Sequence, residues 1–285
     1  MSTLPNLKGY HRPKSIAEAL ALLEKNSGSI LVIAGGTKLV LSNDQTVQEL
    51  VDISALNLDY IKEDNGVVRI GATTTLQKMA ESPTLKKMTN GLLAKAALRT
   101  HYSRMIRNVS TLGGELVTTT PLSVLYCALL VLQAQVRIAG GEEFALAMNI
   151  FLNKKGLGGG LLIEVLIPEM ADHSYAALVP VNIQSAVAPV ICACARVTLS
   201  SGFCKAVKIA VTGTAPVPHR LHAAEQVLEG KLFSPAIIAE AAGVAYETVQ
   251  PISDSLASAE YRQEVCQVVV ERALSECLAR AEESE

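Results

Sequence analysis

Two glycine pairs are the residues whose types and spacing point most directly to chemistry. Gly35-Gly36-Thr37 follows the apolar segment 32–34, and Gly113-Gly114-Glu115 follows Thr111-Leu112. Glycine permits positive φ angles and lets an anion approach main-chain N–H groups. Two such loops, about eighty residues apart, could grip one diphosphate from both sides. The pattern therefore predicts a bound dinucleotide cofactor, without a Rossmann fingerprint.

Other motifs give weaker signals. The glycine-rich segment 156–160 is followed by a predicted strand instead of following one, so we interpret it as a flexible loop. His219 and His222 could share one face of a helix, but no third metal ligand is evident, and we interpret both as solvated. The sequence contains no hydrolase, zinc-protease or P-loop signature. No residue is assigned a catalytic role.

The composition argues against several classes of protein. A net charge of -2 and the lack of a basic stripe argue against nucleic-acid binding. Only 4% of the residues are aromatic and none is Trp, so stacking platforms are scarce. Segment 1–14 lacks the apolar core of a signal peptide, and the longest apolar run, 124–132, is too short to cross a bilayer. We expect a cytoplasmic protein.

The cysteines do not have the spacing of a metal site. No Cys-x-x-Cys pair occurs, and the surroundings are largely apolar. We therefore expect buried thiols in a reducing compartment, and any redox metal belongs to another chain. The six are Cys127, Cys192, Cys194, Cys204, Cys266 and Cys277.

The elements around the first glycine pair follow from local signals. A capping box at 15–18 starts a helix, and apolar segments 30–34 and 49–53 are predicted strands. Asp64-Asn65-Gly66 predicts a hairpin turn before strand 67–70.

The second glycine pair lies among predicted helices. Segments 75–80 and 91–102 precede it, and a thoroughly apolar helix at 122–133 follows it. Segments 135–138 and 161–167 are predicted strands.

The composition changes at 168–174, which we interpret as a domain boundary. Beyond it, 187–199 and 204–212 predict an antiparallel hairpin. Three helices follow, at 218–228, 235–248 and 259–282.

Seven segments in this order resemble a known family, and together they span almost the whole chain. They are 34–39, 51–54, 68–72, 106–114, 121–134, 164–168 and the helix around 261–262. They are similar to the FAD-binding medium subunit of molybdenum hydroxylases, the xanthine dehydrogenase and carbon monoxide dehydrogenase flavoprotein family.

The resemblance implies an α+β fold. Residues 1–170 would form an FAD-binding α/β region in two subdomains, about 1–56 and 57–170, of the PCMH/vanillyl-alcohol-oxidase-like type. Residues 171–285 would form a domain of the CO-dehydrogenase-flavoprotein type, a small antiparallel sheet with helices.

The resemblance also implies an FAD site. The first glycine pair with Thr37 would hold the diphosphate, and Thr111 with the second pair would hold it from the opposite side. Ile33, Leu112 and Leu162 would pack on the adenine or isoalloxazine ring, the alternative being plain core. The complete set is Val32, Ile33, Ala34, Gly35, Gly36, Thr37, Lys38, Leu39, His101, Thr111, Leu112, Gly113, Gly114, Glu115 and Leu162.

His101, Arg104 and Arg107, near the second pair, have two interpretations each. His101 could stack on or hydrogen-bond to the flavin, or it could be a surface histidine at a helix end. Arg104 and Arg107 could add positive potential toward the diphosphate, or they could be solvated cations at a helix end.

Three positions depart from the family pattern. Glu115 stands where many relatives have Asn, Val124 where many have Asp, and Ala176 near the place of a basic residue. A carboxylate beside a diphosphate is repulsive unless it is paired, and Lys38 is the predicted partner of Glu115.

The resemblance implies an electron-transfer role. The chain would take electrons from the [2Fe-2S] clusters of a partner subunit, fed by a molybdenum-cofactor subunit, and pass them through FAD to NAD or another acceptor. The departures at Glu115, Val124 and Ala176 motivate an alternative, a flavin-free structural or assembly subunit. A stand-alone FAD oxidase is a third reading, for which no base or flavin-linking residue can be assigned.

Overall fold

The computed structural model describes residues 4–25, 28–39, 44–118, 120–140, 144–153, 157, 159–182 and 189–284. Within them the strands are β1 Gly9–His11, β2 Ile30–Ile33, β3 Glu49–Asp52, β4 Ile61–Asp64, β5 Val67–Gly71, β6 Gln135–Ala139, β7 Phe144–Ala147, β8 Leu161–Ile167, β9 Ser174–Val181, β10 Ile191–Ser200, β11 Phe203–Thr212 and β12 His219–Arg220. The helices are α1 Ile16–Lys25, α2 Leu76–Glu81, α3 Pro83–Lys87, α4 Leu92–Thr100, α5 Arg104–Arg107, α6 Leu112–Val117, α7 Val124–Val131, α8 Met148–Asn153, α9 His222–Leu228, α10 Pro235–Thr248 and α11 Ala259–Glu282. The fold is mixed α and β, as the resemblance implies.

Contacts divide the chain into two units. The first consists of Met1–Met79, Ser103–Thr118 and Ala134–Ile167, and the second of Ala80–Tyr102, Thr119–Gln133 and Pro168–Glu285. Segments on both sides of the second glycine pair therefore belong to the second unit. The domain boundaries expected from the sequence stay a prediction.

The first unit contains two sheets. Strands β1, β3 and β2 form a parallel sheet in that order, and β4-β5-β8-β6-β7 form an antiparallel one. Ala19 and Leu23 of α1 pack on the parallel sheet, in a core that also contains Leu161 and Ile163 of β8. The two sheets of this unit thus share one hydrophobic core.

The second unit is built on an antiparallel sheet with the order β12-β11-β10-β9. Helices α9, α10 and α11 pack their apolar residues against it. All eight residues of α7 are buried, and the Cys127 thiol of this helix donates to the Ala210 carbonyl of β11 at 3.0 Å. The second unit therefore packs helices against the buried apolar residues of one antiparallel sheet.

Most elements agree with the predictions, and the bounds of β8, α10 and α11 are those predicted. Asn65 and Gly66 have φ of 49° and 75°, which confirms the predicted hairpin turn. All six cysteines are buried and free, as expected. No helix in the described ranges is both long and apolar enough to cross a membrane.

One predicted helix begins differently in the structure, one strand was not predicted, and parts of two predicted segments lie outside the described residues. Segment 218–228 begins with strand β12, so His219 and His222 do not share a helical face. Strand β9 was not predicted; it contains Pro180 and lies at the sheet edge, where a missing N–H is tolerated. Of the predicted strand 187–199, residues 187 and 188 lie outside the described part, as do Gly156 and Gly158 of the glycine-rich segment.

Candidate functional site

The first glycine loop, residues 34–39, begins where β2 ends. Gly36 has a φ of 69°, a left-handed conformation that glycine adopts at little cost. Among the described residues, no hydrogen bond uses the backbone N–H of Gly35, Gly36, Thr37 or Lys38 as its donor. Successive N–H groups in such a turn form an anion-binding concavity. This loop can therefore bind a phosphate with its main chain.

The second glycine segment, residues 109–115, has a different conformation. Gly113 and Gly114 lie in the first turn of α6, not in a separate tight turn. The Gly113 N–H donates to the Ala72 carbonyl at 2.8 Å, and the Gly114 N–H donates to the Thr111 hydroxyl at 3.2 Å. The sequence analysis expected both glycine pairs to donate N–H groups to the diphosphate. In the structure the N–H groups of the second pair already donate to protein acceptors, so the two pairs are not equivalent.

The two glycine segments touch each other within the first unit. A Cβ atom on Gly35 would lie 1.7 Å from the Val109 carbonyl oxygen, so only glycine fits there. The Ser110 hydroxyl also donates to the Thr37 hydroxyl at 3.2 Å. The second segment therefore packs directly against the first loop, at Gly35 and Thr37.

An ion pair joins the same two segments. The Lys38 ammonium lies 2.7 Å from the Glu115 carboxylate and 3.4 Å from the Thr118 carbonyl oxygen. The Glu115 side chain is only 5% exposed, whereas that of Lys38 is 32% exposed. The predicted pairing is confirmed, and the carboxylate does not face the site as an uncompensated charge.

A cleft of about 670 Å³ lies in the first unit, and a recess of about 70 Å³ adjoins it along the two glycine segments. The cleft volume is in the range of small-molecule sites. The predicted residues that line the cleft are Val32, Ala34, Lys38, Leu39, Thr111, Gly113, Gly114 and Leu162. The recess adds Ile33, Gly35, Gly36, Thr37 and Glu115.

The structure places four other residues from the sequence analysis elsewhere. Leu112 is completely buried and lines neither cavity, in agreement with the plain-core alternative. Arg107 is buried and donates to Gln77 at 2.8 Å, so it is not a solvated cation. Arg104 is exposed in the first turn of α5, and His101 belongs to the second unit, where it follows α4.

Several cleft residues were not predicted. Val117 and Thr118 follow Gly114 at helical spacing, a signal that could have revealed them. Leu23 and Ile30 line the cleft from ordinary core positions, which carry no such signal. Asp44 also lines the cleft, and hydrogen bonds from Thr46 lower the pKa of this carboxyl group.

The cleft residues fit a dinucleotide. Apolar side chains such as Val32, Leu161 and Leu162 can contact flat rings. The N–H groups of Gly35, Gly36 and Thr37, which have no acceptor among the described residues, and the Lys38 ammonium are the kinds of donor that a diphosphate requires.

Comparisons with known proteins also indicate an FAD-binding protein, and the matches extend over nearly the whole chain. The family described as the FAD binding domain in molybdopterin dehydrogenase matches residues 5–170, and the CO dehydrogenase flavoprotein C-terminal domain matches residues 182–277. The chain is 31% identical to the 6-hydroxypseudooxynicotine dehydrogenase complex subunit alpha of Paenarthrobacter nicotinovorans, covering 94% of this chain and 93% of the relative. It is 29% identical to the carbon monoxide dehydrogenase medium chain of Afipia carboxidovorans, covering 98% and 99%.

A solved structure also superposes along nearly the full length. It is a chain of carbon monoxide dehydrogenase from Hydrogenophaga pseudoflava, with a TM-score of 0.90 and 27% identity, covering 97% of this chain and 99% of the other. The family matches, the full-length relatives and a cleft that fits a dinucleotide agree with one another. The chain belongs to the family of FAD-binding medium subunits of molybdenum hydroxylases: it is a flavoprotein subunit of an oxidoreductase, and its cofactor is FAD.

Proposed function

We propose that this chain is the electron-transfer subunit of a xanthine-dehydrogenase-like molybdenum hydroxylase. It takes electrons from the [2Fe-2S] clusters of a partner subunit and passes them through FAD to NAD or another acceptor. FAD, when bound, supplies the redox chemistry, and the chain binds and orients it. Names such as "medium chain" and "complex subunit alpha" among the relatives support a multi-subunit assembly.

The observation that carries the proposal is the first glycine loop. Its N–H groups at Gly35, Gly36, Thr37 and Lys38 have no acceptor among the described residues, and they line the recess beside the cleft. We assign the diphosphate to these groups. The second glycine segment supports the loop and shapes the cleft, and Leu162 is assigned to a ring of the cofactor.

The metal centres are assigned to partner subunits. The described residues include no group of three or more His, Cys, Asp or Glu side chains that could hold a metal ion. The thiols are also poor ligands, since burial raises the pKa of Cys204 to about 11 and that of Cys277 to about 12. Electrons must therefore enter the flavin from another chain.

One observation weakens the flavin-free alternative. The unfavourable charge that Glu115 suggested is compensated by Lys38 at 2.7 Å. Val124, at the start of α7, and Ala176, within β9, are buried in the second unit. Neither residue lines the cleft or the recess assigned to FAD.

Two measurements test the proposal. The chain expressed alone is titrated with FAD, and the complex isolated from the native source is analysed for flavin, iron and molybdenum. We expect saturable FAD binding, and co-isolated subunits that carry iron and molybdenum. Reduction of the complex by its substrate should be followed by transfer to NAD or to a dye. A colourless chain that binds no added FAD, in isolation and in the complex, contradicts the proposal and favours the structural role.

A further inference from the structure

The Lys38–Glu115 ion pair lies at the place assigned to the cofactor's charge. Both residues line the same recess as Gly35, Gly36 and Thr37, whose N–H groups have no acceptor among the residues that the structure describes. Among the described residues that line this recess, Lys38 is the only cation, and its ammonium lies 2.7 Å from the Glu115 carboxylate. Any diphosphate bound here must share that ammonium.

We propose that Glu115 lowers the affinity of the site for FAD by competing with the diphosphate for Lys38. This inference rests on the proposed function, because it requires the diphosphate to bind at the first glycine loop. Glu115 is thus an affinity-setting residue, and the chain holds its cofactor less tightly than the donors of the loop alone would allow.

The charges of Lys38 and Glu115 determine whether a substitution strengthens or weakens FAD binding. With Glu115 and Lys38 both ionised, the pair is neutral and attracts a diphosphate only as a dipole. Removing the Glu115 charge makes the recess more positive, whereas removing the Lys38 charge makes it more negative. Unit charges several ångströms apart interact by about 2 kcal/mol at the effective dielectric of a protein surface. That energy corresponds to roughly tenfold or more in a dissociation constant.

The competing explanation predicts the opposite sign. If Glu115 served only to hold Lys38 and to tie the two glycine segments together, its removal would disorder the ammonium and weaken binding. The direction of the change in E115Q therefore separates the two explanations. Gln is isosteric with Glu, so it keeps the packing of this 5% exposed side chain.

The experiment measures the dissociation constant of FAD for the full chain by flavin fluorescence. The variants are E115Q, K38M, K38R and the double variant K38M/E115Q. We expect E115Q to bind FAD about tenfold more tightly and K38M to bind it at least tenfold more weakly. The double variant should recover part of the K38M loss, and K38R, which keeps the positive charge, should lose less affinity than K38M.

Matched controls come from an exposed ion pair of the same unit. Lys78 lies 3.0 Å from Asp59, and both side chains are about half exposed. K78M and D59N change the net charge by the same amounts and should leave FAD affinity unchanged. ADP, which carries a diphosphate, should reproduce the order of the variants, whereas adenosine should bind all of them alike.

Weaker or unchanged FAD binding by E115Q, or a double variant no better than K38M, overturns the inference while leaving the proposed function intact. If the unaltered chain and every variant fail to bind FAD and ADP, both fail. Thermal unfolding without FAD identifies any variant that has lost its fold, and E115Q still decides the sign if K38M is such a variant.

Discussion

Gly35 shows most clearly how one residue type makes this site possible. Its missing Cβ atom allows the Val109 carbonyl oxygen to approach to a distance that no side chain permits. The close approach places the first glycine loop directly against residues 109–110, and among the described residues the N–H groups of Gly35, Gly36, Thr37 and Lys38 have no acceptor. The conformational freedom of Gly36 is a separate requirement, set by its positive φ.

We predict that G35A strongly impairs FAD binding. The new Cβ would lie 1.7 Å from the Val109 carbonyl oxygen, so the two backbones must separate. We expect at least a tenfold loss in affinity and about 2 kcal/mol less stability, the cost of overpacking. FAD titration and urea unfolding measure both quantities.

The control for this variant is G243A. A Cβ on Gly243 meets nothing within 4 Å, and the residue lies within α10. Alanine there should stabilise the chain by about 0.5–1 kcal/mol and leave FAD affinity unchanged. Equal FAD affinity in G35A and the unaltered chain would show that the close approach is not needed for binding.

Glu164 is a second residue whose surroundings determine its chemistry. Its side chain is 1% exposed and accepts hydrogen bonds from Arg69, Tyr60 and Arg137 at 2.7–3.1 Å. Burial alone would raise the pKa of Glu164, but these three donors outweigh it and hold the pKa below its ordinary value. The same cluster, with burial as the largest cause, raises the pKa of Tyr60 to about 12.

We predict that E164Q removes a stabilising carboxylate that joins β5 to β6 through β8. Because its folded-state pKa is depressed, Glu164 stabilises the fold above its ordinary pKa of 4.5, and this contribution is lost as the pH falls through the folded-state value. E164Q should lower the free energy of unfolding by about 3 kcal/mol at pH 7 and should flatten its decline in acid.

Urea unfolding at a series of pH values measures this effect. The control is E63Q, since Glu63 is exposed on the neighbouring strand β4. An E164Q variant whose stability declines in acid as steeply as that of the unaltered chain would argue against the assignment.

At the scale of elements, the long helix α11 depends on one buried cation. Arg262 is 2% exposed and donates to the carbonyl groups of Val190 and Gly213 at 2.7 and 2.9 Å. It also makes two hydrogen bonds to the Asp254 carboxylate at 2.8 and 2.9 Å. The helix start is thereby connected to three separate chain segments of the second unit.

We predict that R262M destabilises the second unit by about 3–5 kcal/mol. Methionine fills much of the space but leaves two buried carbonyl groups without this donor, and Asp254 loses the guanidinium. Far-ultraviolet circular dichroism during urea unfolding measures the loss. The exposed Arg272 of the same helix provides the control R272M, which should change stability by less than about 0.5 kcal/mol.

The elements show where sequence patterns are sufficient. Helices α10 and α11 were predicted with their bounds because a Pro at the first helical position and a Ser cap mark their starts. Strand β9 was missed because Pro180 is unfavourable in a strand, and only the sheet order shows that this strand is at an edge. The segment at 218 begins as strand β12 because it pairs with β11, a contact that local periodicity cannot reveal.

For the whole molecule, the cofactor should act as a stabilising ligand. We predict that FAD at about 100 times its dissociation constant adds about 2.7 kcal/mol to the free energy of unfolding. Amide hydrogen exchange should slow at residues 35–38, whose N–H groups have no acceptor among the described residues. The hairpin tip 64–66 should not change on FAD addition and serves as the internal reference. Unaltered exchange at 35–38 with saturating FAD would contradict the assignment of the diphosphate.

The sequence by itself indicated the family, the α+β class and the FAD cofactor through the resemblance of its segments to known flavoprotein subunits, and it predicted the first glycine loop and most helices and strands from turn residues, caps and apolar periodicity, which act locally. It also predicted the pairing of Lys38 with Glu115, since a carboxylate next to a phosphate site requires a cation. Only the tertiary structure decided which N–H groups have an acceptor. The N–H groups of Gly113 and Gly114 donate to Ala72 and Thr111, whereas those of Gly35 and Gly36 have no acceptor in the part of the chain that the structure describes, because hydrogen-bond partners distant in sequence are fixed by packing.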